Sequence, residues 1–337
     1  MTETSHPDFR VSGFRDVVHL PVALFGGVMG LTGLSVCWHL AHAGYGAPSV
    51  IGDWMGVLAV LAFVAVSSGY AAKIVIAPSA VRDEFRHPVA GPLFGTVPIS
   101  LMLLPILVAP TFPVLAQVTW AVGAIAMLLF AWLIVRRWMA GGLDASSVSP
   151  SWMVPVVGLL DLPLAVSSLG LPQVHGAMDL ALAVGLFFAV PLFTIIFSRL
   201  AFGPPLPTAL EPTLLILLAP FAVGFSAYVA TTGQVDVLAQ SLYMLMLFFL
   251  VLLIGRLRHL PACCPFRMSW WAVSFPLAAS ATTALRFAQV EPGWITDGIA
   301  MLLLGLATAV IAGLLLRTVV GIMRGELKTL SGARPSP

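Results

Sequence analysis

The segment from Met268 to Arg286, MSWWAVSFPLAASATTALR, decides how this chain folds. It has the length and apolarity of a bilayer-crossing helix, which takes about 20 residues. Pro276 stands near its middle, and the bulky Phe275 comes just before it. Small or hydroxylated residues follow: Ala278, Ala279, Ser280, Ala281, Thr282 and Thr283. Proline removes a backbone donor and kinks a helix. A kinked helix with one large apolar side chain, and small ones elsewhere, could line a narrow pore and plug it. Phe275 is also one of 20 phenylalanines, and ordinary packing is the competing reading. The rest of the chain decides between them.

Of the 337 residues, 59% are hydrophobic and only 9% are charged, with a mean hydropathy of +1.02. Soluble domains carry about 25% charged residues, so the chain is a polytopic membrane protein surrounded by lipid. No nucleic-acid partner is expected. Ten segments reach spanning length: 21–43, 51–73, 92–109, 113–135, 152–170, 177–199, 213–231, 236–255, 269–288 and 295–320. Ala41-His42-Ala43 mimics a signal-peptide cleavage site. The long polar leader and the length of the first apolar run favour a retained helix instead. The organisation expected is a segment 1–19, a transmembrane domain 20–323 and a polar tail 324–337.

Charge sets the topology. Of the 16 Lys and Arg residues, 15 fall before the first segment or after even-numbered ones, and only Arg286 lies near the opposite side. The positive-inside rule then places both termini in the cytoplasm. Asp53, Asp236, Glu291 and Asp297 mark the opposite segment ends.

Odd and even segments also differ. Pro98 and Pro105 interrupt the third, Pro155 and Pro163 the fifth, Pro220 the seventh and Pro276 the ninth. The first carries Gly26, Gly27, Gly30 and Gly33 instead. Even segments are uninterrupted apart from Pro191 in the sixth. Broken helices in a membrane need neighbours or water to satisfy the freed carbonyls. The fold expected is therefore all-α: five tandem hairpins, with five kinked inner helices around a central pore and five outer helices facing lipid. A lining of this kind draws on Phe25, Gly30, Phe94, Pro98, Pro155, Pro220, Phe221 and Pro276. The phenylalanines among these are further constrictions or plain packing residues.

Five stretches resemble the tellurite-resistance/dicarboxylate transporter family, which includes TehA and is related to the plant slow anion channels. They are LPVALFGGVMGLTGLSVCWHL at 20–40, EFRHPVAGPLFGTVPISLMLLP at 84–105, SPSWMVPVVGLLDLPLAV at 149–166, EPTLLILLAPFAVGFSAYV at 211–229 and SWWAVSFPLAASATTALRFA at 269–288. Together they cover the odd segments in order. The resemblance implies a homotrimer in a bacterial inner membrane, with one pore per protomer. It implies passage of small inorganic or dicarboxylate anions, a gate at Phe275, and a pore-facing glycine at Gly26.

Asp161, inside the fifth segment, departs from the neutral residue expected there. An intramembrane carboxyl is a functional candidate by default. It is a proton carrier, one partner of a pair, or simply a hydrogen-bonded acid packed between helices. Arg286, near Glu291, either draws anions to the outer mouth or pairs with that acid. Thr96, Ser100, Ser167, Ser226, Thr282 and Thr283 could solvate an anion loosely, as conduction requires. His39 and His42 share a helix face at its end and read as interfacial residues, so no metal or cofactor is expected. Cys37, Cys263 and Cys264 are expected as free thiols, because adjacent cysteines make a strained disulfide. No HExxH motif, Ser-His-Asp pattern or phosphate loop accompanies Asp161, so an enzyme is not expected.

Overall fold

The computed structural model describes residues 17–257 and 266–326. Arg10, Arg15, Arg258, Cys263, Cys264 and the tail from 327 onward lie outside the described residues. Among those described, all regular structure is helical. Ten long helices follow one another: α1 (Val22–Tyr45), α2 (Ser49–Ile76), α3 (Gly91–Val108), α4 (Pro113–Met139) and α5 (Pro150–Leu169). Then come α6 (His175–Phe202), α7 (Thr208–Thr232), α8 (Val237–Leu257), α9 (Met268–Val273 continuing as Ser274–Val290) and α10 (Trp294–Met323). A short helix, Pro78–Arg86, joins α2 to α3.

All but α9 are long and apolar enough to cross a membrane. The exception has a physical reason. Ser274, Ser280, Thr282, Thr283, Arg286 and Gln289 lower the hydropathy of α9, yet 13 of the 17 residues in Ser274–Val290 are buried. A helix screened from lipid by its neighbours has no need of an apolar surface. Burial alternates along the chain in the same sense. Between 61 and 83% of the spanning window is buried in α1, α3, α5 and α7, against 17–33% in the even-numbered helices.

Backbone geometry follows the prolines. Every odd helix opens as a 3-10 turn before becoming α-helical; each even helix is one continuous α-helix, though α6 too is preceded by a 3-10 turn, Pro172–Val174. Pro98 is the third residue of Thr96–Leu103, Pro155 the second of Val154–Val157, Pro220 the second of Ala219–Thr232 and Pro276 the third of Ser274–Val290. In the first turn of an α-helix a missing N–H costs nothing, and the chain before it must wind differently. Side chains serve the carbonyls along these broken stretches. Ser274 Oγ donates to Trp271 O at 2.7 Å, Trp120 Nε1 to Leu162 O at 3.1 Å, and Ser269 Oγ to Ala209 O at 2.8 Å. Pro191, in α6, leaves its helix continuous.

Each even helix packs on the odd helix before it, and each odd helix touches the next odd one. The last odd helix also meets the first. Along this α1–α9 seam a Cβ on Gly27 would sit 3.1 Å from the Trp271 ring, and one on Gly33 2.9 Å from Ala278 Cβ. A Cβ on Gly30 would collide with the Ser274 side chain. Small residues let membrane helices approach this closely. Farther along, the Cys37 thiol lies 3.1 Å from both Ala278 O and Thr282 Oγ1. At the N-terminal end of α1, Glu84 accepts bonds from Val22 N–H (2.8 Å), Tyr70 OH (3.0 Å) and Lys73 Nζ (2.7 Å), while Lys73 also donates to Leu20 O. This buried cluster pins the Pro78–Arg86 helix against the start of α1.

Candidate pore

Two cavities lie end to end among the odd helices. The narrow one has a volume of about 90 Å³, room for only a few water molecules. It is bounded by the N-terminal halves of all five odd helices, with Gly26, Ile99, Asp161, Ile216 and Pro276 among its walls. The wide one, about 1070 Å³, is bounded by their C-terminal halves together with parts of α2 and α4. All five odd helices therefore run the same way along this axis. Phe275 and Val223 line both cavities and so stand at their boundary. The Phe275 ring reaches to 3.8 Å of the place where Gly33 would carry a Cβ, so the bare glycine leaves room for it.

The lining falls in stripes. In α7 it runs Leu210, Thr213, Ile216, Ala219, Val223 and Ser226; in α9 it includes Ser269, Ala272, Phe275, Ala279, Thr282 and Arg286. Spacing is three residues through the 3-10 segments and three or four beyond them. A 3-10 helix has 3.0 residues per turn, so every third side chain eclipses the one before. The 3-10 openings thus hold one line of residues on the cavity, whereas an α-helix would rotate it away.

These stripes sort the sequence-derived candidates. Gly26, Asp161, Phe275 and Pro276 line a cavity. Phe25, Gly30, Phe94, Pro98, Pro155, Pro220 and Phe221 line neither of the two. Phe25, one residue off the α1 stripe, packs edge-on against Phe63 and Tyr70. Phe94 meets Tyr70 and Phe85, and Phe221 stacks on Phe249. Gly30 faces Ser274 across the seam. Pro98, Pro155 and Pro220 shape the backbone and leave the lining to their neighbours. Sequence reasoning missed Val223 and named Gly33 only among the glycines of the first segment, not as a lining residue. The repeat of small or apolar residues at every third place, as in 210, 213, 216 and 219, is the signal that marks this face.

Polar groups divide unevenly between the cavities. Thr96 and Ser100, expected to greet an anion, donate instead to Leu93 O and Thr96 O, and Thr283 donates to Ala222 O. In the narrow cavity, Thr213 and Ser269 likewise bond backbone carbonyls. Asp161 is buried there, and its Oδ1 has no hydrogen-bond partner among the described residues. In the wide cavity, Ser167 and Ser168 are exposed, and their hydroxyls make no hydrogen bond among the described residues. His39 lies there too, 3.6 Å from Asp53, while His42 Nδ1 sits 2.7 Å from Ala47 O. Arg286 lines the same cavity, partly buried. Its expected partner Glu291 does not pair with it, and among the described residues it has neither ion pair nor hydrogen bond.

Residues 19–319 match the family model described as SLAC1, voltage-dependent anion channel. The S-type anion channel SLAH3 of Arabidopsis thaliana is 27% identical over 90% of this chain and 48% of its own length. The guard cell S-type anion channel SLAC1 of the same plant is 26% identical over 90% of this chain and 56% of its own. The chain thus spans about half the length of these plant relatives. It is also 28% identical to a tellurite resistance protein TehA homolog of Haemophilus influenzae, over 91% of this chain and 92% of that one.

Proposed function

The chain belongs to the SLAC1-type voltage-dependent anion channel family, and from that premise we propose that it is a membrane channel passing small anions through a pore within each chain, closed at Phe275. The observation that supports the gate is that Phe275, with Val223, lines both cavities at their boundary. A bulky apolar ring in a narrow passage blocks it and drives out water. The ten helices form five hairpins, with the broken odd helices lining the pore and the even ones facing lipid. The alternation of burial and the contact of α9 with α1 support this arrangement. Both termini lie in the cytoplasm, the wide cavity opens outward, and the assembly is a homotrimer in a bacterial inner membrane. The permeant species are inorganic anions or dicarboxylates. With hydroxyl protons in the narrow cavity occupied by backbone carbonyls, the route favours anions that shed water readily.

Conductance of reconstituted Phe275→Ala tests the gate. A rise of about tenfold, equal to ~1.4 kcal/mol on the barrier, is expected. A folded variant with wild-type conductance sinks the proposal.

Asp161 favours a second reading, a proton-coupled C4-dicarboxylate carrier, because its unpartnered carboxyl oxygen sits on the route. Uptake under an imposed pH gradient separates the two. Passive flux indifferent to the gradient, in both wild type and Asp161→Asn, is the channel outcome. Proton-driven accumulation lost in the variant is the carrier outcome.

A further inference from the structure

Arg286 is a cation that no side chain among the described residues answers with an ion pair or hydrogen bond. It is partly buried, it lines the wide cavity, and it has no hydrogen bond or ion pair among the described residues. A guanidinium offers five N–H donors in a planar fork that matches a planar oxoanion in two-pronged fashion. Exposed Ser167 and Ser168, whose hydroxyls have no hydrogen bond among the described residues, share the cavity. Asp53, the acid on the same wall, lies beside His39. Arg286 falls on the same α9 stripe as Phe275, eleven residues along, so it stands about 16 Å from the gate at 1.5 Å per residue.

We propose that Arg286 forms an anion-holding station in the wide cavity, selective for small planar oxoanions such as nitrate or a carboxylate over halides. Resting on the channel reading, the proposal names where an ion waits before the gate. At this distance the cation concentrates anions without holding one at the constriction, and the weak, multi-site binding that conduction needs is preserved. Screening by salt weakens such a station, because the Debye length at physiological ionic strength is only about 8 Å.

Two measurements test it. Calorimetric titration of the purified protein with sodium nitrate and with sodium chloride requires no open pore. Arg286→Gln is expected to weaken nitrate binding about tenfold, in keeping with loss of a charged hydrogen-bonding partner. Arg286→Lys should keep chloride binding while losing severalfold in nitrate, because lysine retains the charge without the fork. Nitrate binding within twofold of wild type in both variants overturns the station. Should Arg286→Gln not fold, an unchanged nitrate-to-chloride ratio in Arg286→Lys overturns it alone. The second measurement is conductance in the Phe275→Ala background, where Arg286→Gln should lower nitrate current severalfold at low salt and little at high salt. Current in Phe275→Ala that ignores Arg286 at low salt defeats the station and spares the channel. Nitrate binding lost in Arg286→Gln, with no anion current in Phe275→Ala, defeats the channel and spares the station.

Discussion

The same five helices build the narrow cavity with their N-terminal halves and the wide one with their C-terminal halves, yet the two differ in geometry and chemistry. Around the narrow cavity the backbone is largely 3-10, and the hydroxyls are bonded to carbonyls. Around the wide cavity it is largely α-helical, with the side chains of Ser167, Ser168 and Arg286 free of hydrogen bonds among the described residues. The difference follows from where the prolines sit. In α3, α5, α7 and α9 a proline at the start of an α-segment sets the stretch before it into 3-10 geometry, while in α1 the 3-10 turn follows Pro21 instead, and these stretches draw on hydroxyl and indole donors to complete their backbone bonding. Donors used in this way cannot greet an ion. Beyond the proline the helix satisfies itself: Thr32, Ser35, Ser226 and Thr282 still bond protein groups, but among the described residues the side chains of Ser167, Ser168 and Arg286 do not.

Breaking the seam that both cavities share should have the largest effect. Gly30→Ala places a methyl group into the Ser274 side chain, and overpacking of this kind costs about 2 kcal/mol or more. Thermal unfolding in detergent should show a clear loss of stability, and unchanged melting would mean the seam is looser than it stands here. A smaller effect is expected on the narrow side alone. Gly26 lines that cavity, and a Cβ there would meet only Trp271 O, at 3.6 Å. Gly26→Val should therefore fold and lower the Phe275→Ala conductance about fivefold, ~1 kcal/mol on the barrier. Smallest should be the loss of hydroxyls on the wide side. Ser167→Ala with Ser168→Ala should change the same conductance by less than about twofold, since neutral hydrogen bonds exchange readily with water. A larger fall there than for Gly26→Val would reverse the ranking of the two cavities.

Much of the architecture was legible in the sequence because it depends on features that prolines, glycines and charges carry openly. The broken odd helices, the continuous even ones and Phe275 beside a cavity follow from such marks. Helix phase is another matter. Phe25 and Phe221 stand beside Gly26 and Pro220 much as Phe275 stands beside Pro276, yet both turn toward even helices. A rotation of one residue, about 100°, separates lining from packing, and neighbouring helices fix it. Arg286 and Glu291 are close in sequence, but the acid lies past the end of α9 while the arginine faces the lumen. Asp161 could be seen as exceptional from its residue type alone. Its isolation on the cavity wall could not, because that depends on what four other helices fail to offer it.

The seam between α1 and α9 has a consequence in time. Gly26 and Ser274, bonded across it, are 248 residues apart in the chain. At about 5–20 residues per second, a ribosome makes the second of them roughly 12–50 s after the first. Throughout that interval α1 waits in the membrane with its glycine face bare. The helix that finally covers it is the one bearing Phe275, so under the gate proposed above the last wall of the ring and its stopper arrive together. With that gate, a nascent chain would have no stage at which the ring is closed and the passage open.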